Sequence, residues 1–180
     1  MRRVCIAVLL GALSSVAYAA PAGATTFDGQ CSIDGRSDFG LPLRFVPQEM
    51  DWSFVSNPGG GRCTGTLNGV PVVDTPMNVV VDAHGPISCG VAGYSLDAPF
   101  EATFPAAVGD RKLKGRLSLG AIAAQNAVYV EGARAGFAAG RASFFGQNDQ
   151  VAVVQGCADG NTVRSLNVNV TIQTAGPMSG

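Results

Sequence analysis

Apolar and polar residues alternate along several short segments of the chain. In residues 165–174, SLNVNVTIQT, every second side chain is apolar: Leu166, Val168, Val170 and Ile172. A period of two residues is typical of a β-strand that buries one face and exposes the other to water. Residues 112–120, KLKGRLSLG, follow the same rule, with an apolar face of Leu113, Leu117 and Leu119.

Further short segments rich in Val, Ile, Phe and Thr lie between glycines that recur every few positions. Such segments, bounded by turn-forming residues, predict strands. We place them at residues 31–33, 43–46, 52–55, 77–82, 88–94, 99–104, 127–131, 134–138 and 141–144. About ten short strands with short connections predict an all-β fold, either a single antiparallel β-barrel or a β-sandwich.

The segment 58–69, PGGGRCTGTLNG, ends in the strongest turn motif of the chain. Asn68 and Gly69 tolerate the positive φ angles of a type I′ turn, which predicts a hairpin between CTGTL and VPVV. In that register Cys63 is buried, and Pro71, which has no N–H group, lies either in an edge strand or at a position where its nitrogen faces outward. The glycines before Arg62 predict a surface loop, because a phosphate-binding loop would need a following helix and a Lys.

One short helix is predicted near the last cysteine, in residues 148–157, NDQVAVVQGC. Val151, Val154 and Cys157 recur at a spacing of three residues, Asn148 is a suitable N-cap, and glycines follow. A strand fits the periodicity almost as well, and the capping residues favour the helix.

The amino terminus has the parts of a secretory signal peptide. Arg2 and Arg3 precede an apolar run, and small residues allow cleavage after Ala19 or after Ala24. We therefore expect residues 1–24 to be a signal peptide and residues 25–180 to form a single secreted β domain. No other segment is apolar over the roughly 18 residues that a membrane helix needs, so no membrane span is expected in the mature protein.

Four cysteines lie outside the signal peptide: Cys31, Cys63, Cys89 and Cys157. An even number in an exported domain predicts two disulfides, and three pairings are open. No pair has the C-x-x-C spacing of a zinc or redox site, and the single histidine, His84, does not complete a metal set. We therefore expect no metal and no cofactor.

The chain is weakly acidic, with 12 Lys and Arg against 13 Asp and Glu, a net charge of −1 that becomes −3 without Arg2 and Arg3. Nucleic acid is not an expected partner of such a protein. The densest cluster of like charge is Arg111, Lys112, Lys114 and Arg116. We treat it as a candidate binding surface for an anionic envelope polymer or a protein, although an edge strand that resists self-association has the same pattern.

Catalytic chemistry has little support in the sequence, and no catalytic residue is assigned. His84 precedes a Gly-Pro pair and is predicted to be a turn residue, and the chain has no G-x-S-x-G nucleophile motif. The carboxylates are scattered, and Asp34-Gly35 is predicted to form a hairpin turn. Trp52 and Phe54 share one face of their strand and are expected in the core.

The cysteine framework has a recognisable setting: Cys31 near the expected mature amino terminus, then GRCTGTLNG, SCG, VAVVQGCADG and the ending TIQTAGPMSG. Together these segments resemble a group of small secreted four-cysteine bacterial proteins of unknown function, mostly from high-GC Gram-positive bacteria. The resemblance implies disulfide roles for the four cysteines, a helix before Cys157 and an exported protein. It implies no activity.

The leading functional hypothesis is a secreted, noncatalytic β domain that acts by binding at the cell envelope or outside the cell. One alternative is a β-barrel carrier of a small apolar ligand, since strands of this composition line a cavity as readily as they fill a core. A second alternative is a carbohydrate-active hydrolase that uses two carboxylates about 5 to 9 Å apart.

Overall fold

A computed structural model describes residues 23–89, 95–122, 125–144, 147–160 and 163–180. Residues 1–22 of the expected signal peptide lie outside the described residues. The strands are β1 (Thr26–Phe39), β2 (Gln48–Leu67), β3 (Val70–Ile87), β4 (Ser95–Thr103), β5 (Lys112–Ile122), β6 (Gln125–Gly132), β7 (Phe137–Phe144), β8 (Ser165–Thr174) and β9 (Met178–Ser179). A 3₁₀ turn (Ala106–Val108) follows β4, and one helix, α1 (Gln147–Asp159), follows β7.

Eight of these strands close into an antiparallel barrel. Each strand from β2 to β8 pairs with the next, β8 pairs with β1, and β1 pairs with β2, which closes the ring. The short β9 pairs with the start of β1 as an extra strand. The all-β prediction is therefore confirmed, and of the two architectures left open the chain adopts the barrel.

The glycines that follow Pro58 lie inside a strand instead of before one. Ile33 of β1 pairs with Gly61 of β2, and Gly35 pairs with Ser56, so four residues of β2, 57–60, lie opposite Asp34 alone. These residues form an outward excursion of β2. The predicted hairpin turn at Asp34-Gly35 is wrong, because both residues lie within β1. A Cβ on Gly35 would lie 2.5 Å from the Phe54 ring. The glycine, which has no Cβ, therefore leaves room for that ring against the backbone of β1.

The hairpin at Asn68-Gly69 is confirmed. Asn68 and Gly69 have φ angles of 51° and 78°, as a type I′ turn requires, and Leu67 pairs with Val70. The Asn68 side-chain oxygen accepts a hydrogen bond from the Thr26 N–H at 2.8 Å. Residues 70–77 of β3 pair with β2 alone among the described strands, so the edge position predicted for Pro71 is also confirmed.

The helix before the last cysteine is confirmed as α1. It runs past Cys157 and ends at Gly160, whose φ of 71° is left-handed and stops the helix. The side chain of Asn148, the predicted N-cap, lies outside the described part of the chain.

Three predicted strands are corrected. Residues 43–46 form an irregular segment and not a strand, residues 88 and 89 follow the end of β3 while residues 90–94 lie outside the described residues, and β7 begins only at Phe137. His84 is not in a turn, since it lies in β3 opposite Asp51 of β2.

Both predicted disulfides are present, and the fold decides their pairing. Cys31 of β1 lies directly opposite Cys63 of β2, and the two are bonded within the barrel wall. Cys89, just after β3, is bonded to Cys157 of α1.

Candidate functional site

The inward-facing side chains of the barrel enclose a cavity of about 400 Å³. A water molecule occupies about 30 Å³ of liquid volume, so this space is far larger than a packing defect. Ligand pockets of proteins are typically about 300 to 1,000 Å³. The cavity is therefore large enough for a small organic ligand.

The alternating strands supply the wall of the cavity. Its lining includes the apolar faces predicted in β5 and β8: Leu113, Leu117, Leu119, Leu166, Val168, Val170 and Ile172. Leu117, Leu119 and Ile172 point inward but are only partly buried, because they border open space. Trp52 and Phe54 are buried, as predicted, and also contribute to the lining.

One end of the barrel is filled with large side chains. Phe104, Phe27 and Met178 are 0%, 3% and 2% exposed, and the two phenyl rings lie with their centroids 5.9 Å apart. This end is formed by the start of β1, the connection between β4 and β5, and β9. We call it the closed end.

The opposite end, which we call the mouth, is where β1 and β3 finish and β8 begins. A segment of residues 40–47, the strap, crosses it between strands. The Leu43 N–H donates to the Val163 carbonyl oxygen at 2.8 Å, and the Arg44 carbonyl oxygen accepts from the Cys89 N–H at 2.8 Å. Phe45 of the strap lines the cavity and is also 44% exposed, so it lies at the rim.

Helix α1 covers the mouth beside the strap. Val153, Val154 and Cys157 line the cavity, and the disulfide to Cys89 fixes the helix to the end of β3. Arg44 of the strap donates from Nε to the Gly160 carbonyl oxygen at 3.2 Å, just past the helix end. Strap and helix together restrict access to the cavity.

The polarity of the lining is low. Among the described residues that line the cavity, the side chains are aliphatic, aromatic or sulfur-containing, with Ser37 and Ser88 as the two hydroxyls. None of these lining residues is charged. An apolar molecule would lose water-exposed surface on entering, at about 25 cal/mol per Å² of apolar area, without leaving a charge unpaired.

Most of the basic residues predicted as a binding surface form ion pairs with carboxylates of β4. Lys112 Nζ lies 2.7 Å from Glu101 Oε1, Lys114 Nζ lies 3.3 Å from Glu101 Oε2, and Arg116 Nη2 lies 2.6 Å from Asp97 Oδ2. Strand β5 pairs with β4 and β6, so the edge-strand interpretation is wrong.

These ion pairs shift the titration of their members. The hydrogen bond from Arg116 lowers the pKa of Asp97, and the hydrogen bond from Lys112 lowers the pKa of Glu101. The same contacts raise the pKa of Lys112 and of Arg116. Arg111 is exposed at the start of β5. Three of the four predicted residues thus share a ladder of ion pairs on the barrel's outer face.

Three carboxylates that the hydrolase alternative could use lie together on the outside of β1, β2 and β3. Asp38, Asp51 and Asp82 line a shallow depression with His84. The His84 Nδ1 atom lies 2.8 Å from Asp51 Oδ1. Ser88, by contrast, is buried at the cavity lining, so serine and histidine face opposite sides of the barrel wall.

Within the described ranges, no group of three or more His, Cys, Asp or Glu side chains is arranged to hold a metal ion. No helix among the described residues is long and apolar enough to span a membrane.

Two features of the site were not predicted from the sequence. The strap was expected to be a strand, and Ser37 was not singled out. The alternation of β1, in which Cys31, Ile33 and Ser37 share one face, would have placed Ser37 inside the barrel.

The chain matches no protein-family model, and no curated protein and no solved structure shows significant similarity to it.

Proposed function

We propose that this protein is a noncatalytic carrier that binds a small apolar ligand inside its barrel. The observation that carries the proposal is the cavity of about 400 Å³ with its uncharged lining. Apolar side chains fill the interior of the barrel at its closed end. Elsewhere Leu117 and Leu119 are only partly buried and border the open space. Of the three functions considered from the sequence, the carrier makes the most direct use of this space.

The two disulfides support a carrier that works outside the reducing cytoplasm. Together with the signal peptide predicted at residues 1–24 and the resemblance to small secreted bacterial proteins, they favour export to the cell envelope or the medium. A disulfide-bonded barrel suits such a place, because Cys31–Cys63 joins two strands of the wall and Cys89–Cys157 fixes α1 at the mouth.

The outer basic face is a weaker candidate for the binding site. Lys112, Lys114 and Arg116 already have carboxylate partners within 3.3 Å, so an anionic polymer would have to displace Glu101 and Asp97. Exposed ion pairs are weak. The net free energy of binding would therefore be small, because the polymer would only replace one set of anionic partners by another.

The first test is native mass spectrometry of the protein purified from the host that makes it. We expect an added mass of a small organic molecule that is lost on denaturation. In parallel, the purified protein after ligand extraction is titrated with N-phenyl-1-naphthylamine, a neutral apolar dye that fluoresces when it leaves water. We expect saturable, one-to-one binding.

A titration without saturable dye binding, combined with a native mass equal to the bare chain, would contradict the carrier proposal. Denatured protein serves as the control for dye binding to unfolded apolar segments.

A further inference from the structure

The lining of the cavity contains an isolated hydroxyl. Ser37 of β1 is 5% exposed and points into the barrel. Its strand partners on either side are Phe54 of β2 and Leu166 of β8, both of which also line the cavity. The hydroxyl is therefore surrounded by hydrocarbon.

Among the described residues, none forms a hydrogen bond with the Ser37 hydroxyl, whereas the second lining hydroxyl, Ser88, does have a partner. Among the described residues, no fully enclosed side-chain oxygen or nitrogen lacks a partner. The Ser37 oxygen must therefore border the open cavity. A polar group held in an apolar setting is costly unless it is hydrogen-bonded, which points to a polar atom on the ligand.

The position of Ser37 along the barrel gives the ligand an orientation. Ser37 lies two residues from the end of β1, near the mouth, where Phe39 pairs with Trp52. Farther in, the described lining offers carbon and sulfur alone, down to Phe27 and Phe104 at the closed end. A ligand with one polar end would thus enter with its apolar end first.

The charge of the ligand follows from the same lining. An ionised carboxylate next to Ser37 would receive one hydrogen bond, and no cationic side chain lines the described cavity to compensate its charge. A serine hydroxyl both donates and accepts, so it suits an alcohol or a carbonyl equally.

Building on the proposed carrier function, we propose that the ligand is a neutral apolar molecule with a single hydroxyl or carbonyl group. Ser37 hydrogen-bonds that group near the mouth and thereby determines specificity. The hydrocarbon part lies between Ser37 and the closed end.

A double comparison of ligand and protein tests this assignment. Displacement of N-phenyl-1-naphthylamine gives the affinities of 1-decanol and decane for the wild-type protein and for Ser37→Ala. Each ligand partitions from water in the same way in both titrations, so the ratio of the two affinities isolates the contact at residue 37. We expect Ser37→Ala to lower the preference for decanol by about two- to tenfold, the value of one neutral hydrogen bond.

The matched control is Ser143→Ala, which removes an exposed serine hydroxyl from β7. It should leave both affinities at wild-type values. An unchanged ratio in Ser37→Ala, with dye binding intact, would overturn the assignment of Ser37 and leave the carrier function standing. Absence of saturable dye binding to the wild-type protein, combined with a native mass equal to the bare chain, would overturn both proposals. Tighter binding of decanoate than of decanol at neutral pH would overturn the neutral class of ligand.

Discussion

The bonded sulfur atoms of Cys89 and Cys157 join the end of β3 to α1 across the mouth of the cavity. The second disulfide, Cys31–Cys63, lies in the wall between two paired strands and does not reach the helix. One bridge thus fixes the wall and the other fixes the cover.

Replacing Cys89 and Cys157 together by Ser should release the helix from the mouth. Each bridge closes a loop of tens of residues, and its loss should lower the free energy of unfolding by about 4 kcal/mol. We expect bound dye to dissociate faster from this variant in a stopped-flow experiment. Cys31→Ser with Cys63→Ser is the matched control, because it should cost similar stability without freeing α1. Equal acceleration in both variants would show that the helix does not restrict the exit of the ligand.

Filling the cavity should abolish binding without unfolding the protein. Ala142 of β7 lines the cavity, whereas Ala139 of the same strand is exposed on the outer face. We expect Ala142→Phe to weaken dye binding by about tenfold or more, because the ring takes up space that the ligand needs. Ala139→Phe should bind the dye like the wild-type protein. Near-normal affinity in Ala142→Phe, with a native melting curve, would place the ligand elsewhere.

Several glycines lie where the backbones of neighbouring strands in the barrel wall come very close together. A Cβ on Gly115 would collide with the Glu131 carbonyl oxygen and lie 2.6 Å from the Phe100 ring, whereas a Cβ on Gly120, in the same strand, would meet no atom within 4 Å. Gly115→Ala should therefore lower the free energy of unfolding by about 1 to 3 kcal/mol in urea titrations. Gly120→Ala should leave it unchanged or slightly raised. A similar loss for both would show that the close contact at Gly115 does not determine the cost.

The ion pair between Lys112 and Glu101 gives stability a dependence on pH with a defined sign. The hydrogen bond from Lys112 lowers the pKa of Glu101 from its ordinary value of 4.5. A carboxyl group with a lowered pKa in the folded state stabilises the fold above its unfolded pKa, and this contribution is lost as the pH falls through the folded pKa. Glu101→Gln should therefore lower the urea midpoint at neutral pH, and the difference from wild type should vanish in acid.

The control for that titration is Asp82→Asn on β3, because Asp82 is exposed and forms no salt bridge with a described residue. Its urea midpoint should follow the wild-type curve across the same range of pH. A Glu101→Gln deficit that persists in acid would show that the side chain stabilises the barrel by packing instead of by charge.

Local chemistry in the sequence predicts much of this fold. The alternation in 165–174 and 112–120 identifies the inner faces of β8 and β5, and Asn68-Gly69 identifies a turn, because each depends on residues adjacent in the chain. The strap shows the limit of such patterns. Leu43 and Phe45 both line the cavity, as alternate residues of a strand would, but the Leu43 N–H donates to Val163 and the Arg44 carbonyl oxygen accepts from Cys89, so the strap bonds to isolated residues.

The cavity itself was beyond prediction, since an inward-facing leucine has the same sequence pattern whether it fills a core or borders a void. Barrel closure was equally undetermined, because it depends on β1 pairing with β8, which lies more than a hundred residues away in the chain. The pairing of the cysteines follows from that closure. The turn predicted at Asp34-Gly35 is wrong for a related reason. Gly35 leaves room for the Phe54 ring of β2, and this contact exists only once β1 and β2 have paired.

Among the described strands, residues 70–77 of β3 pair on one side only, and this has a consequence for the solubility of the protein. An exposed strand edge is a template onto which a second molecule can add a strand, and Val70 and Val73 there are 63% and 77% exposed. Pro71 and Pro76 lack N–H groups, and Asp74 has a left-handed φ of 47° that distorts the ladder. The edge therefore resists intermolecular pairing, and the hairpin can display these valines without initiating aggregation.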